Sequence, residues 1–202
     1  MIVSHKYKCV YMAVPKTGTT SVRRALDMIG GEPFVWGDEE GEWEFPVNVP
    51  QRSALKHICC VPAELAGYCV FGSVRNPYSR QVSRYLESIK NRRDPSQSHF
   101  EEFTLGGKTS YRSSCRGWLD GSVPKGCVPF EVNHILKMET IEEDFNGLPF
   151  VSKEIEFPHD NISKGSSEGL HFTVEMKRKL SRVCEKDFEL FGYDDLSFIK
   201  MI

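Results

Sequence analysis

No run of about 18 consecutive apolar residues occurs in the 202-residue chain, so no helix is expected to cross a membrane. The first residues, MIVSHKYKC, lack the long apolar core and small-residue cleavage pattern of a secretory signal. There is no C-x-x-C pair and no His/Cys spacing that suits a zinc centre. The seven cysteines (Cys9, Cys59, Cys60, Cys69, Cys115, Cys127 and Cys184) are odd in number and irregular in spacing, which fits reduced thiols better than a disulfide framework. Cys115 and Cys127 share a loop-rich stretch and are a pair that an oxidising compartment could join. Charge of one sign is not in excess either. Lys and Arg number 26 against 28 Asp and Glu, a net charge of -2, so nothing global favours nucleic acid and any anion site must be local. Repeats, low-complexity tracts and obvious linkers are missing, which points to a single domain over residues 1–202.

What the chain does have is VPKTGTTSVRRA at Val14 to Ala25. It follows an apolar, β-rich run from Cys9 to Val14 and opens a segment with helical patterning. A strand, a short loop of Lys, Gly and Thr, and a helix start make a cradle for phosphate or sulfate, because backbone N–H groups and the helix dipole face the anion. The order is not that of the Walker A loop, G-x-x-x-x-G-K-[ST], since Lys16 precedes the loop's single glycine, Gly18.

Val22, Ala25, Leu26 and Ile29 support a helix over about 20–28 that stops at Gly30-Gly31. Residues 32–52, with five acids between Asp38 and Glu44, read as a solvated excursion. A short helix is expected over 62–66, and Tyr68 to Val74 reads as a second buried strand. Pro77 fits a helix first turn, with Val82, Tyr85, Leu86 and Ile89 at helical spacing behind it. Residues 91–133 read as short helices and loops, the expected seat of acceptor specificity. His134 to Met138 is a third strand, followed by a helix over 141–145. One amphipathic helix is expected from Thr173, its N-cap, to Phe191, ended by Gly192. The alternation predicts an α/β domain with a mainly parallel central sheet flanked by helices.

Three segments are candidate anion sites: Lys16 to Ser21, the strand–helix junction Arg75 to Ser83, and FPHDNISKG at Phe157 to Gly165. Arg75 ends a buried strand, where open α/β sheets place ligands, and Ser79 and Ser83 share a helix face. A guanidinium with a nearby hydroxyl suits a phosphate. Together the segments suggest a ligand with two separated phosphate-like groups.

VPKTGTTSV resembles the 5′-phosphosulfate loop of sulfotransferases that use 3′-phosphoadenosine 5′-phosphosulfate (PAPS), and SVRNPYSRQVSRY resembles their 3′-phosphate segment. KHICCVPAEL, HILKMETIEEDF, FPHDNISKG and FELFGYD add a similarity to the carbohydrate-type branch, the Golgi-like sulfotransferase family 2. The resemblance implies a P-loop-like nucleotide-binding form of the α/β fold, in which Lys16 contacts the phosphosulfate and stabilises the leaving oxygen. It implies that Thr17, Gly18, Thr19, Thr20 and Ser21 wrap the 5′-phosphate, and that Arg75 and Ser83 bind the 3′-phosphate. Ser163 and Lys164 are further contacts. His57, in KHICC, is the implied general base, with His159 as runner-up. Glu139 matches an acidic position of the family, read as structural. No metal is required, because Lys16 and helix N–H groups balance the charge.

The expected reaction moves a sulfuryl group from PAPS to an acceptor hydroxyl on a glycan or small glycosylated molecule, with no nucleic-acid partner. Rival readings are a P-loop-like nucleotide kinase, against which the G-K-[ST] signature and a Walker B aspartate are missing, and a non-catalytic nucleotide-binding module. Trp36, Trp43 and Trp118 need no special role, and Lys90, Arg92 and Arg93 suit the end of a helix as well as an anionic acceptor. The start at Met1, a few residues before the first strand, favours a soluble cytoplasmic protein of bacterial or viral kind over a trimmed Golgi-lumenal domain.

Overall fold

The computed structural model describes residues 2–29, 35–36, 61–90, 94–106, 115, 119, 127–128, 131–158 and 167–194. The chain divides into two compact units, each assembled from two stretches of sequence. The first is Met1–Val74 with Leu119–Asp160, and the second is Arg75–Trp118 with Asn161–Ile202.

The first unit is built on a five-stranded sheet. Its strands are β1 (Ile2–Ser4), β2 (Cys9–Met12), β3 (Val35–Trp36), β5 (Cys69–Val74) and β7 (His134–Lys137), in the order β3-β1-β2-β5-β7. β2, β5 and β7 are parallel, with Tyr11 opposite Phe71 and Gly72 opposite Ile135. β1 pairs antiparallel with both β2 and β3, so the sheet is mixed and the expectation of a mainly parallel sheet holds only for the three strands β2, β5 and β7 on one side of it. The cause is the four-residue turn from His5 to Lys8, with Lys8 at φ 48, which can join only antiparallel neighbours. A three-residue run, Ile-Val-Ser, before a charged turn is too short a pattern to announce a strand, and β1 is not legible in the sequence. A separate antiparallel pair joins β4 (Val61–Pro62) to β6 (Cys127–Val128). β4 takes the place of the expected helix start, with a single 3-10 turn following at Ala63–Leu65.

Helix α1 (Thr19–Ile29) buries Val22, Ala25 and Leu26, the face that its sequence spacing predicts. These residues join Tyr11, Phe71 and Leu136 of the sheet in one core, together with Phe157 and with Ile141 and Phe145 of α4 (Ile141–Asn146). Each of the larger aliphatic and phenylalanine side chains contributes about 1.5–3 kcal/mol through burial. This core fixes the strand ends from which the candidate loop departs.

The second unit is helical. It contains α2 (Pro77–Ile89), α3 (Gln97–Leu105), α5 (Val174–Val183) and α6 (Glu185–Phe191). Tyr85, Phe100, Phe172 and Tyr78 stack in succession with ring centroids 5.0–5.1 Å apart. Lys179 donates to the carbonyls of Leu105 and Gly106 at 2.6 and 2.9 Å and so satisfies the end of α3. Thr173 caps α5 as expected, accepting from the Met176 N–H at 3.3 Å, and Gly192 closes α6 at φ 64. The single helix expected between them is two. Cys184 leaves helical geometry at φ -110, ψ 18, and Asp187 turns inward to accept the Cys115 N–H at 2.6 Å. The apolar spacing alone carries no mark of the break or of that long-range bond.

Candidate functional site

The loop between β2 and α1 is set by its backbone. The Val14 N–H folds back onto Met12 O at 3.0 Å, ending the strand two residues before the expected limit. Lys16 (φ 68) and Gly18 (φ 82) both occupy the left-handed region. For a lysine this costs about 1–3 kcal/mol, and such strain collects where a backbone must hold a functional shape. The Val22 N–H makes the first intrahelical bond, to Gly18 O at 3.0 Å, so the N–H groups of Thr19, Thr20 and Ser21 precede the helix ladder. The first turn of α1 holds no acidic residue. Lys16, Gly18, Thr19 and Thr20 are half-buried, and Ser21 is buried. The N-terminus of α1 presents the positive end of the helix dipole, with no carboxylate in its own first turn.

Thr17 plays a different part from its neighbours. Its side chain is fully buried, and its hydroxyl donates to Val14 O at 2.8 Å. The same oxygen lies 2.6 Å from Ser73 Oγ, which lies 2.5 Å from the Tyr11 hydroxyl. Each hydroxyl has one proton, so the donor order is forced: Tyr11 donates to Ser73, Ser73 to Thr17, and Thr17 to the Val14 carbonyl. Thr17 therefore braces the loop from beneath, and its backbone N–H is the group left for an anion.

The second segment begins where β5 ends. Asn76 is fully buried and caps α2, its Oδ1 accepting from Tyr78 N at 2.9 Å and Ser79 N at 3.4 Å. Pro77 at the first helical position gives up no needed donor. Arg75, half-buried, precedes the cap; its Nε is buried with no hydrogen-bond partner among the described residues, and the residue makes other interactions. Ser79 and Ser83 are buried on α2, four residues apart as the sequence places them. Arg80 is buried beside Arg84, whose guanidinium is held below the usual arginine range by burial and then by the Arg80 charge, with Cys184 opposing.

His57, His159, Ser163, Lys164, Trp43, Trp118, Arg92 and Arg93 lie outside the described residues, as do the side chains of Trp36 and Cys127. Glu139 is half-buried in the 3-10 turn Met138–Thr140 that follows β7. Among the described residues no group of three or more His, Cys, Asp or Glu is arranged to hold a metal ion, and no helix is long and apolar enough to cross a membrane. Sequence reasoning missed Tyr11, Ser73 and Asn76. The signal was a hydroxyl or amide inside a strand or junction that is otherwise buried, which must find a partner.

A parallel strand that ends in a strained glycine loop and opens a helix is the architecture of α/β proteins that hold phosphate- or sulfate-bearing ligands. The model of the sulfotransferase family matches residues 1–194, and the chain belongs to that family. Carbohydrate sulfotransferase 10 of Xenopus laevis is 22% identical, the match covering 98% of this chain and 68% of the relative. The Rattus norvegicus protein of the same name is 25% identical over the same shares. No solved structure gives a significant match.

Proposed function

We propose that this sulfotransferase moves a sulfuryl group from PAPS to a hydroxyl of a carbohydrate acceptor. The observation that carries the reading is the Lys16–Ser21 loop, a left-handed turn opening an acid-free helix N-terminus inside the span matched by the family. The relatives' name, carbohydrate sulfotransferase, supports the acceptor class.

The half-buried loop from Lys16 to Thr20 suits a dianionic 5′-phosphosulfate, gripped by backbone N–H groups and the Thr19 and Thr20 hydroxyls. Lys16 balances the charge that grows on the phosphate oxygen as its bond to sulfur breaks. Arg75 and Ser83 take the 3′-phosphate, the guanidinium supplying charge-assisted donors. Ser163 and Lys164 add contacts to the nucleotide. The acceptor oxygen attacks sulfur in line with the leaving oxygen, and His57 removes its proton.

The direct test is twofold. The protein is expected to be stabilised against heat by 3′-phosphoadenosine 5′-phosphate and not by ATP with magnesium. It is also expected to transfer labelled sulfate from PAPS to a panel of glycans. Stabilisation by ATP-magnesium alone would instead favour phosphoryl transfer, and nucleotide binding without transfer to any hydroxyl would leave a binding module.

A further inference from the structure

Three hydroxyls lie in sequence beneath the strained loop, on β2, β5 and the loop itself. The Tyr11 hydroxyl, Ser73 Oγ and Thr17 Oγ1 are joined at 2.5 and 2.6 Å, and the chain ends on Val14 O at 2.8 Å. All three residues are at most 1% exposed, so water does not compete for these bonds. One proton per hydroxyl gives the chain a single direction, and such one-way chains strengthen bond by bond in a low-dielectric interior. Its last donor, Thr17, lies between the two left-handed residues, Lys16 and Gly18. Neither Tyr11 nor Ser73 reaches the anion's side of the loop through these bonds; they act on Thr17.

We propose that Ser73, supported by Tyr11, is a positioning residue of the sulfotransferase. Its hydroxyl fixes the Thr17 side chain and thereby holds Lys16 and the loop N–H groups in the shape that grips the donor's 5′-phosphosulfate. The inference rests on the PAPS reading for its ligand. Ser73→Ala removes the donor to Thr17 and the acceptor of Tyr11 together, while Tyr11→Phe removes only the outer link. Thr17→Val removes the last link, and Thr17→Ser keeps it. The effect on nucleotide binding is therefore graded: largest for Ser73→Ala and Thr17→Val, smaller for Tyr11→Phe, and near wild type for Thr17→Ser.

Two measurements on the full chain test this. The dissociation constant of 3′-phosphoadenosine 5′-phosphate is expected to rise about tenfold in Ser73→Ala and Thr17→Val and to recover in Thr17→Ser. Amide hydrogen exchange without ligand is expected to quicken at residues 16–20 in the same two variants while the amides of β7 keep their protection. A purely structural role would lower thermal stability and speed exchange throughout the sheet without a selective change at the loop. A Ser73→Ala protein that binds the nucleotide as the wild type does, with loop exchange unchanged, overturns the positioning role. If the wild-type protein itself does not bind the nucleotide, the PAPS reading fails, and the positioning role for that ligand fails with it.

Discussion

Gly18 sits against Met138: a Cβ placed on Gly18 would fall 2.6 Å from the Met138 Sδ. The contact brings the loop after β2 against the turn after β7, so two strand ends of the first unit share one wall. Methionine is flexible and can retreat, so the clash alone is cheap to relieve. The backbone is not, because φ 82 suits glycine and strains any residue with a Cβ. Gly18→Ala is expected to lower stability by about 1–2 kcal/mol and to weaken nucleotide binding more than that loss alone explains. Urea denaturation and a nucleotide titration on the same preparation check both parts; wild-type affinity in Gly18→Ala would mean the loop tolerates a different shape.

Lys16 separates strain from chemistry. Lys16→Ala keeps a Cβ at φ 68, so the backbone cost stays while the ammonium is lost. Lys16→Gly loses the ammonium and the strain together. The glycine variant is expected to match or exceed the wild type in stability by up to about 1 kcal/mol, and the alanine variant is not. Both are expected to lose most sulfuryl transfer. If Lys16→Gly retained full transfer, charge balance at the leaving oxygen would have to come from another group.

Much of this was readable in the residues. VPKTGTTSV after an apolar run located the loop and helix within a residue or two, because strand and helix periods meet there without ambiguity. The Pro77 first turn of α2 and the Thr173 cap of α5 were equally local signals. The features that escaped depend on distant partners. β1 is defined by pairing with β2 and β3, and Asp187, just beyond the break at Cys184, accepts the N–H of Cys115, 72 positions away. The Tyr11–Ser73–Thr17 chain joins residues 56 to 62 positions apart, which no local pattern encodes.

Two buried thiols give the fold an alkaline limit. Cys9 and Cys184 are each pushed up to about 12 from an ordinary 9.0, chiefly by burial. Cys69 adds to the rise at Cys9; Asp187 and Cys115 add to it at Cys184, while Arg80 and Arg84 oppose. Unfolded, both thiols ionise near 9.0; folded, they keep their protons to about 12. In that window the unfolded chain binds fewer protons, so stability is fully present below pH 9.0 and falls as pH rises towards 12, by at most about 1.4 kcal/mol per pH unit for each thiol. Cys184→Ala is expected to be less stable at neutral pH and yet to show a shallower alkaline decline. Denaturation midpoints at neutral pH and at about pH 10 measure the slope; an unchanged slope would show that the Cys184 thiol does not set the limit.

Arg75 follows the last residue of β5 and directly precedes the buried cap Asn76, so its backbone is fixed on both sides. On the proposed PAPS reading, the Arg75 guanidinium would discriminate between a nucleotide with a 3′-phosphate and one with a 3′-hydroxyl, since its charge-assisted bonds would exist only for the former. In the wild type, 3′-phosphoadenosine 5′-phosphate is expected to bind about 10–100 times more tightly than adenosine 5′-monophosphate. Arg75→Ala is expected to bring the two affinities close together by weakening the first and sparing the second. Arg75→Lys, which keeps the charge and loses the fork, is expected to fall between them. Calorimetric titration of both nucleotides into the three proteins gives the ratios directly. Equal loss of both affinities in Arg75→Ala would assign Arg75 to folding, and an unchanged ratio would place the 3′-phosphate elsewhere.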